Sequence, residues 1–123
     1  YTKDSMSHNV NELVEISHGL ASEAGWWKGV DVSNELVVAT KLCLVHSEVS
    51  EAMEGARKNL MDDHLPHRKM LEVELADAVI RIMDLAGALQ LDLGGAMVEK
   101  LIYNTQRSDH KLTERASSNG KKF

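Results

Sequence analysis

Two apolar segments decide the fold of this chain: KLCLVHSEVSEAMEGARK at residues 41–58 and MLEVELADAVIRIMDLAGAL at residues 70–89. Each segment carries two carboxylates three residues apart, Glu48 and Glu51 in the first and Glu74 and Asp77 in the second. Residues i and i+3 of an α-helix lie on one face, so each pair shares a face. If the two helices pack antiparallel, the four carboxylates converge at one level.

The composition favours an all-α fold. The chain has 123 residues, enough for one domain with a modest core, and its 43% apolar residues include few aromatics and are accompanied by one proline. The net charge is −5 and no basic run precedes the C-terminal tail, so we expect no nucleic-acid partner. The sequence contains no 18-residue apolar run and no signal peptide, which predicts a cytoplasmic protein with no membrane contact. The single cysteine, Cys43, is predicted to be a core thiol.

Helical periodicity and capping residues predict four helices. The first follows an N-cap at Ser7 and covers residues 9–24, and the second runs from a cap at Ser33 or Asn34 to about residue 59. Pro66 introduces the third, over residues 67–89, and Asp92 caps the fourth, which ends near residue 106. The apolar residues predicted to face inward in the first and fourth helices are Val10, Leu13, Ile16, Leu20, Met97, Val98, Leu101 and Ile102. Short loops between such helices are typical of a four-helix bundle.

The predicted boundaries leave one helical domain. Residues 1–5, ahead of Met6, are interpreted as a vector remnant; residues 6–107 form the domain, and residues 108–123 form a polar, flexible tail. From residue 76 to 89 the third helix is apolar nearly all round. A helix of this kind needs cover on several sides, so we expect a homo-oligomer, either a homodimer or a homotetramer.

The four carboxylates allow two interpretations. Each pair can point outward as ordinary solvated charges, but carboxylates within apolar helical runs are unusual. Two carboxylates ~5 Å apart repel by about 3 kcal/mol at an effective dielectric constant of ~20, so a cluster of four raises its own pKa values or recruits a cation. Oxygen ligands with no nearby cysteine select Mg²⁺, for which Mn²⁺ can substitute. Such a site retains positions for water and phosphate, which points to a phosphate-bearing substrate.

Two further motifs are candidate substrate contacts. Trp26 and Trp27, in GWWKG at residues 25–29, either plug the end of the bundle or stack on a nucleobase beside the anionic site. Lys100, Asn104 and Arg107 recur at i, i+4 and i+7, on one stripe of the fourth helix. They either clamp phosphates or include surface cations favoured by the helix dipole.

Other charged residues are given structural roles. Lys41 and Arg57 are weaker candidates for phosphate contacts, and the favoured prediction for both is that they are solvated or paired with helix acids. Arg81, four residues after Asp77, is predicted to orient that carboxylate. The six histidines form no HxH or HxxxH pair, so no zinc site is expected.

These motifs together resemble the MazG-like, all-α nucleoside triphosphate pyrophosphohydrolases, a superfamily that includes dimeric dUTPases and phosphoribosyl-ATP pyrophosphohydrolase. The resemblance lies in ExxE, 22 intervening residues and ExxD, followed by KxxxNxxR. It extends to GWWKG, LVHSEVSEAMEGARK, VELADAVIRIMDLAG and VEKLIYNTQR, and so covers most of the chain.

The resemblance implies Mg²⁺-dependent hydrolysis of a (d)NTP to the (d)NMP and pyrophosphate, in house-cleaning or adjustment of the nucleotide pool. By position, Glu48, Glu51, Glu74 and Asp77 would hold the metal, which neutralises the triphosphate and lowers the pKa of the attacking water. Glu48 or Glu51 would be the catalytic base. The alternative function is a non-enzymatic helical interaction module with an acidic, cation-binding face.

Overall fold

The computed structural model describes residues 2–107 and 111–123, and this part of the chain is all-helical. Its helices are α1 (Lys3–Glu23), α2 (Glu35–Lys58), α3 (Met70–Ala88), α4 (Leu93–Gln106) and the single turn α5 (Leu112–Arg115). Extended pairing within the described residues is limited to one isolated bridge, between Met61 and Lys69. The predicted all-α class is therefore confirmed.

Helix α1 begins at Lys3 rather than after Ser7, so the predicted start was wrong. The reason is a reciprocal cap formed by Thr2 and Ser5: the Ser5 backbone N–H donates to Thr2 Oγ1 over 3.0 Å, and the Thr2 backbone N–H donates to Ser5 Oγ over 3.2 Å. Asp4 adds a negative charge to the first turn, where the helix dipole favours it. Ser7 lies inside the helix, and its hydroxyl donates to the backbone carbonyl of Asp4.

The caps of α2 and α4 are confirmed. The Asn34 side chain accepts from the backbone N–H of Leu36, and the Asp92 side chain accepts from that of Gly95. Helix α2 ends before Asn59, whose backbone adopts the left-handed conformation.

Helix α3 starts later than predicted, because residues before Met70 form a compact loop instead of a helical turn. The buried carboxylate of Asp62 accepts from the backbone N–H groups of His64 and Leu65. The backbone N–H of Asp62 donates to the Arg68 carbonyl, which closes the loop. Pro66 therefore lies inside this loop rather than at the helix entrance.

The described chain divides into two compact units. One consists of Tyr1–Asn11 with Asp92–Phe123, and the other of Glu12–Leu91. In the first unit, Asn11 donates to Asp92 Oδ1 over 2.9 Å and accepts from the Gly94 backbone N–H over 2.8 Å. This pair of bonds joins the first half of α1 to the start of α4. The predicted single domain and flexible tail stay predictions.

In the second unit, α2 and α3 form an antiparallel hairpin. At the loop end, α2 passes so close to α3 that a Cβ on Gly55 would lie 2.8 Å from the Cβ of Met70. Farther along, Glu48 of α2 pairs with Arg81 of α3. A larger residue at position 55 would force the helices apart at the loop end, so the glycine is required by this close approach.

A hydrogen-bonded cluster fixes the segment between α1 and α2 against α3. The carboxylate of Asp84 accepts from Trp27 Nε1 over 2.8 Å and contacts His18 Nδ1 at 2.9 Å. The His18 and Trp27 rings meet edge to face, with centroids 5.5 Å apart. Lys41 Nζ lies 4.4 Å from the centroid of the Trp27 ring, which adds α2 to the cluster.

The described residues bury few apolar side chains: Val14, Ala52, Ala78, Leu85, Ala86 and Val98 form the core. Several residues predicted to face inward are exposed instead, namely Leu13, Ile16, Leu20, Met97, Leu101 and Ile102. Cys43 is also exposed, so the predicted core thiol was wrong. The alternation of apolar and polar residues correctly indicated helices, but the described residues of one copy leave these apolar side chains exposed.

Among the described residues, the helices lack the combination of length and apolar character that crossing a bilayer requires.

Candidate functional site

Three carboxylates from two helices meet at the centre of the α2–α3 hairpin. Glu48 comes from α2, and Glu74 and Asp77 come from α3; one oxygen of each lies within 4.8 Å of the others. Glu74 and Asp77 share a face of α3, and antiparallel packing places Glu48 opposite them. All three are partly buried. We refer to Glu48, Glu74 and Asp77 as the carboxylate trio.

The trio perturbs its own ionisation. A hydrogen bond with Glu48, burial, and the negative charges of Glu48, Asp77 and Glu51 raise the pKa of Glu74 to about 7. The same hydrogen bond, in which protonated Glu74 donates, lowers the pKa of Glu48, and the Arg81 guanidinium lowers it further. Burial and the charge of Glu48 raise the pKa of Asp77. Glu74 and Glu48 therefore share a proton near neutral pH.

The fourth predicted ligand, Glu51, lies outside the trio. Its side chain is exposed, yet its charge contributes to the raised pKa of Glu74. Glu51 thus lies at the border of the acidic cluster, where it acts on the trio through space.

A cavity of about 520 Å³ opens beside the trio and combines charges of both signs with an indole. Its lining residues are Trp26, Lys41, Leu44, Glu48, Asp77, Ile80 and Arg81. This volume falls within the range of small-molecule sites, and the lining offers two cations, two carboxylates and an aromatic ring. A ligand that carries both negative charge and a planar ring matches this lining.

The two tryptophans have different environments. Trp26 is 71% exposed and lines the cavity. Trp27 is half-buried, and its Nε1 donates to Asp84. Of the two alternatives left open by the sequence, packing therefore applies to Trp27, and Trp26 is the ring that is available to a ligand.

Two basic residues of this cavity were missed as site residues. Arg81 was predicted to orient Asp77, but its Nε donates to Glu48 Oε1 over 2.9 Å, so its hydrogen-bond partner is on α2. Lys41 was predicted to be solvated or paired with an acid, but it lies over Trp27 and lines the cavity. Arg57 does pair with a helix acid, Glu54, at 3.9 Å. Lys41 precedes Glu48 by seven residues and Arg81 follows Glu74 by seven, a spacing that places each on the face of its carboxylate.

The residues predicted to clamp phosphate lie in the other unit. Lys100 Nζ is 4.5 Å from the centroid of the Tyr103 ring, and Arg107 Nη1 donates to Asn104 Oδ1 over 3.4 Å. Lys100 and Asn104 lie on α4, whereas Arg107 follows its end as the C-cap residue with extended backbone, so the predicted helical stripe does not extend to Arg107. The role of the three residues in phosphate binding stays a prediction.

The raised pKa of Glu74 predicts a pH-dependent stability in buffer free of divalent cations. Between the ordinary carboxyl pKa near 4.5 and about 7, the folded protein binds more protons than the unfolded chain. Stability therefore falls as the pH rises through this window, and ionised Glu74 destabilises the fold above it. The lowered pKa of Glu48 acts in the opposite direction, but only below its ordinary pKa.

We expect Glu74→Gln to melt roughly 2–6 °C above the wild type at pH 8 and close to it at pH 5, measured by circular dichroism with a chelator present. Glutamine retains an N–H donor toward Glu48 but cannot acquire the charge. Glu15→Gln, at an exposed position of α1, serves as the control and should follow the wild-type profile. Equal pH profiles for wild type and Glu74→Gln would show that the trio does not hold this proton.

Comparison with known proteins gives no match for this chain among family models, curated proteins or solved structures.

Proposed function

We propose that this protein is a Mg²⁺-dependent pyrophosphohydrolase that converts a (d)NTP to the (d)NMP and pyrophosphate, with a MazG-type fold. The observation that carries the proposal is that two members of the carboxylate trio, Glu48 and Asp77, line a cavity that also presents two basic residues and the exposed Trp26. Carboxylates favour a cation, the two basic residues favour an anion, and the indole favours a flat ring. A metal-bound nucleoside triphosphate is one ligand that has all three properties.

The donor set fits Mg²⁺ or Mn²⁺. Glu48, Glu74 and Asp77 supply only oxygen atoms, and they approach so closely that the protein retains a proton among them. A divalent cation would replace that proton and relieve the repulsion. Glu51, at the border of the trio, would strengthen the local negative potential or add a further ligand. When bound, Mg²⁺ would neutralise the triphosphate and lower the pKa of the attacking water.

The chain's own residues would bind and orient the triphosphate. Lys41 and Arg81 present positive charge to the cavity, Lys as a mobile point charge and Arg as a planar fork. Lys100, Asn104 and Arg107 are assigned to the β and γ phosphates through the family resemblance. The Trp26 ring would stack on the base, which any of the four bases permits.

The reaction has one bond formed and one broken at the α-phosphorus. Water oxygen attacks this atom while the bond to the α–β bridging oxygen breaks, and pyrophosphate leaves with that oxygen. The proton released by water passes to a carboxylate and then to solvent. Glu51 is the better candidate for this base than Glu48, because Glu48 belongs to the trio and is paired with Arg81.

The same proposal includes assembly as a homodimer or homotetramer in the cytoplasm. On α3, Leu71, Leu75, Val79 and Ile82 recur at i, i+4, i+8 and i+11, and all four are exposed. On α2, Leu42, Val49 and Met53 form a second exposed stripe. Apolar stripes of this length require cover, and a second copy of the chain supplies two complementary helices. Both stripes lie on faces that differ from the face of the trio.

A non-enzymatic interaction module with an acidic, cation-binding face is the competing function. It accounts for the trio but gives no role to the exposed Trp26 or to the basic residues of the cavity. Hydrolysis of a dNTP is expected only for the enzyme, so a turnover assay distinguishes the two functions.

We predict Mg²⁺-dependent release of pyrophosphate from at least one member of a dNTP panel, which contains the four common dNTPs and dUTP. Asp77→Asn should abolish turnover and weaken Mn²⁺ binding by about tenfold or more, because it removes a charged ligand. Glu51→Gln should lower kcat by about 100-fold or more and weaken Mn²⁺ binding less than Asp77→Asn does, because a base contributes mainly to the transition state.

Glu15→Gln is the matched control for these variants and should hydrolyse dNTPs at the wild-type rate. Failure of the folded wild-type protein to hydrolyse any dNTP would reject the enzyme in favour of the interaction module. Full activity in both Asp77→Asn and Glu51→Gln would place the site elsewhere.

The two tryptophans should respond differently to alanine. We expect Trp26→Ala to weaken binding of a dNTP analogue with an α,β-methylene bridge by roughly fivefold to 100-fold, because it removes a stacking surface. Its melting temperature should stay near the wild-type value. Trp27→Ala should lower stability by about 3 kcal/mol or more, because the ring packs on His18 and bonds Asp84. Isothermal titration and thermal melts measure the two effects, and unchanged affinity in Trp26→Ala would remove Trp26 from the site.

The assembly is checked by light scattering at micromolar concentration, where we expect at least a dimer. Leu75→Glu, in the middle of the α3 stripe, should shift the protein toward the monomer, since it places a charge at the interface. Lys69→Glu, at the N-cap of α3 and outside the stripe, is the control. A wild-type monomer would contradict the proposed assembly.

A further inference from the structure

We propose that Arg81 is a built-in counterion of the carboxylate trio, which leaves Glu48 when a divalent cation enters and then binds the phosphates of the substrate. The inference deepens the proposed function and rests on it. Arg81 would then have two successive anionic partners, first a carboxylate of the protein and then a phosphate of the ligand.

Arg81 contacts the first of these partners and lines the cavity proposed for the second. Its Nε donates to Glu48 Oε1 over 2.9 Å, so it occupies an oxygen of the trio. The Glu48 side chain is only 15% exposed, whereas that of Arg81 is 42% exposed. The carboxylate is therefore held in place by the hairpin, while the guanidinium retains room to move. Both residues line the cavity, so a change of side-chain rotamer leaves Arg81 beside a bound ligand.

Charge explains why the ion pair exists before a cation arrives. Glu48, Glu74 and Asp77 each place an oxygen within 4.8 Å of the others, so the trio concentrates negative charge in the hairpin. The Arg81 guanidinium, 2.9 Å from Glu48, offsets part of this charge. A divalent cation would perform the same function more strongly and would also repel the guanidinium. The cation and Arg81 therefore compete for Glu48.

Competition for Glu48 makes Arg81 a positioning residue with opposite effects on two ligands. It weakens binding of the metal alone, because the ion pair must break first. It strengthens binding of a metal-bound triphosphate, because the released guanidinium finds phosphate oxygens in the same cavity. Metal and nucleotide then favour each other's binding, as thermodynamic linkage requires. A residue that served only to stabilise the fold, or only to bind phosphate, would not produce both effects.

The test measures both affinities in Arg81→Gln, which preserves most of the side-chain stem and removes the charge. By titration calorimetry with Mn²⁺ as the only ligand, we expect the variant to bind about threefold to tenfold tighter than the wild type. With saturating Mn²⁺, it should bind the α,β-methylene dNTP analogue about tenfold weaker or worse. Neither measurement depends on turnover.

Two controls accompany this variant. Arg57→Gln makes the same change at an exposed arginine of α2 that pairs with Glu54, and both affinities should match the wild type. Arg81→Lys preserves the charge and should bind Mn²⁺ with near-wild-type affinity, which also covers the case in which Arg81→Gln folds poorly. Circular dichroism establishes the helical content of each variant.

The outcomes separate this inference from the proposed function. Mn²⁺ binding that is unchanged or weaker in Arg81→Gln, with Arg81→Lys no different, would overturn the counterion role. Tighter Mn²⁺ binding with unchanged analogue binding would overturn the transfer of Arg81 to phosphate. The expected affinity changes in a protein that hydrolyses no dNTP would support the counterion and contradict the pyrophosphohydrolase.

Discussion

Repulsion among Glu48, Glu74 and Asp77 is the constraint on which the site depends. Antiparallel packing of α2 and α3 brings an oxygen of each within 4.8 Å of the others. Two features of the protein reduce this repulsion. Glu74, whose pKa is raised to about 7, retains a proton, and Glu48 pairs with Arg81. Under the proposed function, a divalent cation would replace both the proton and the Arg81 ion pair. The hairpin holds the carboxylates in an arrangement that is unfavourable for the free protein and that would become favourable in the proposed metal complex.

The surroundings of the hairpin keep this arrangement rigid and leave one side open. Asp84 ties Trp27 and His18 to α3, and Lys41 packs over the Trp27 ring. This cluster fixes the segment that carries Trp26 and so directs its exposed ring toward the cavity. Trp27 therefore has a structural role, whereas the exposed ring of Trp26 is accessible to a ligand.

The fold and the carboxylate cluster were predictable to different extents. The caps at Asn34 and Asp92 were readable because a cap is a local interaction between a side chain and the next turn. The start of α3 could not be predicted correctly, because Asp62 holds the preceding residues in a loop by hydrogen bonds. The position of the proline does not indicate this loop. Helical spacing on two segments indicated the faces that carry the four carboxylates, but it did not show that Glu51 lies outside the trio. The partner of Arg81 could not be predicted in this way. Spacing along α3 favoured Asp77, whereas the hydrogen bond is made to Glu48 on α2.

The exposure of Leu13, Leu75 and Cys43 shows a related limit of prediction from sequence. Periodicity marks the apolar face of a helix, but it does not say whether the same chain covers that face. The sequence by itself determined the helices, the faces that carry the carboxylates and the presence of two adjacent indoles, since all three depend on neighbours within a few residues. Only the tertiary structure decided that three carboxylates meet, that Arg81 bonds Glu48, and that Trp26 rather than Trp27 reaches the cavity. Those outcomes depend on contacts between helices, which the periodicity of one helix does not encode.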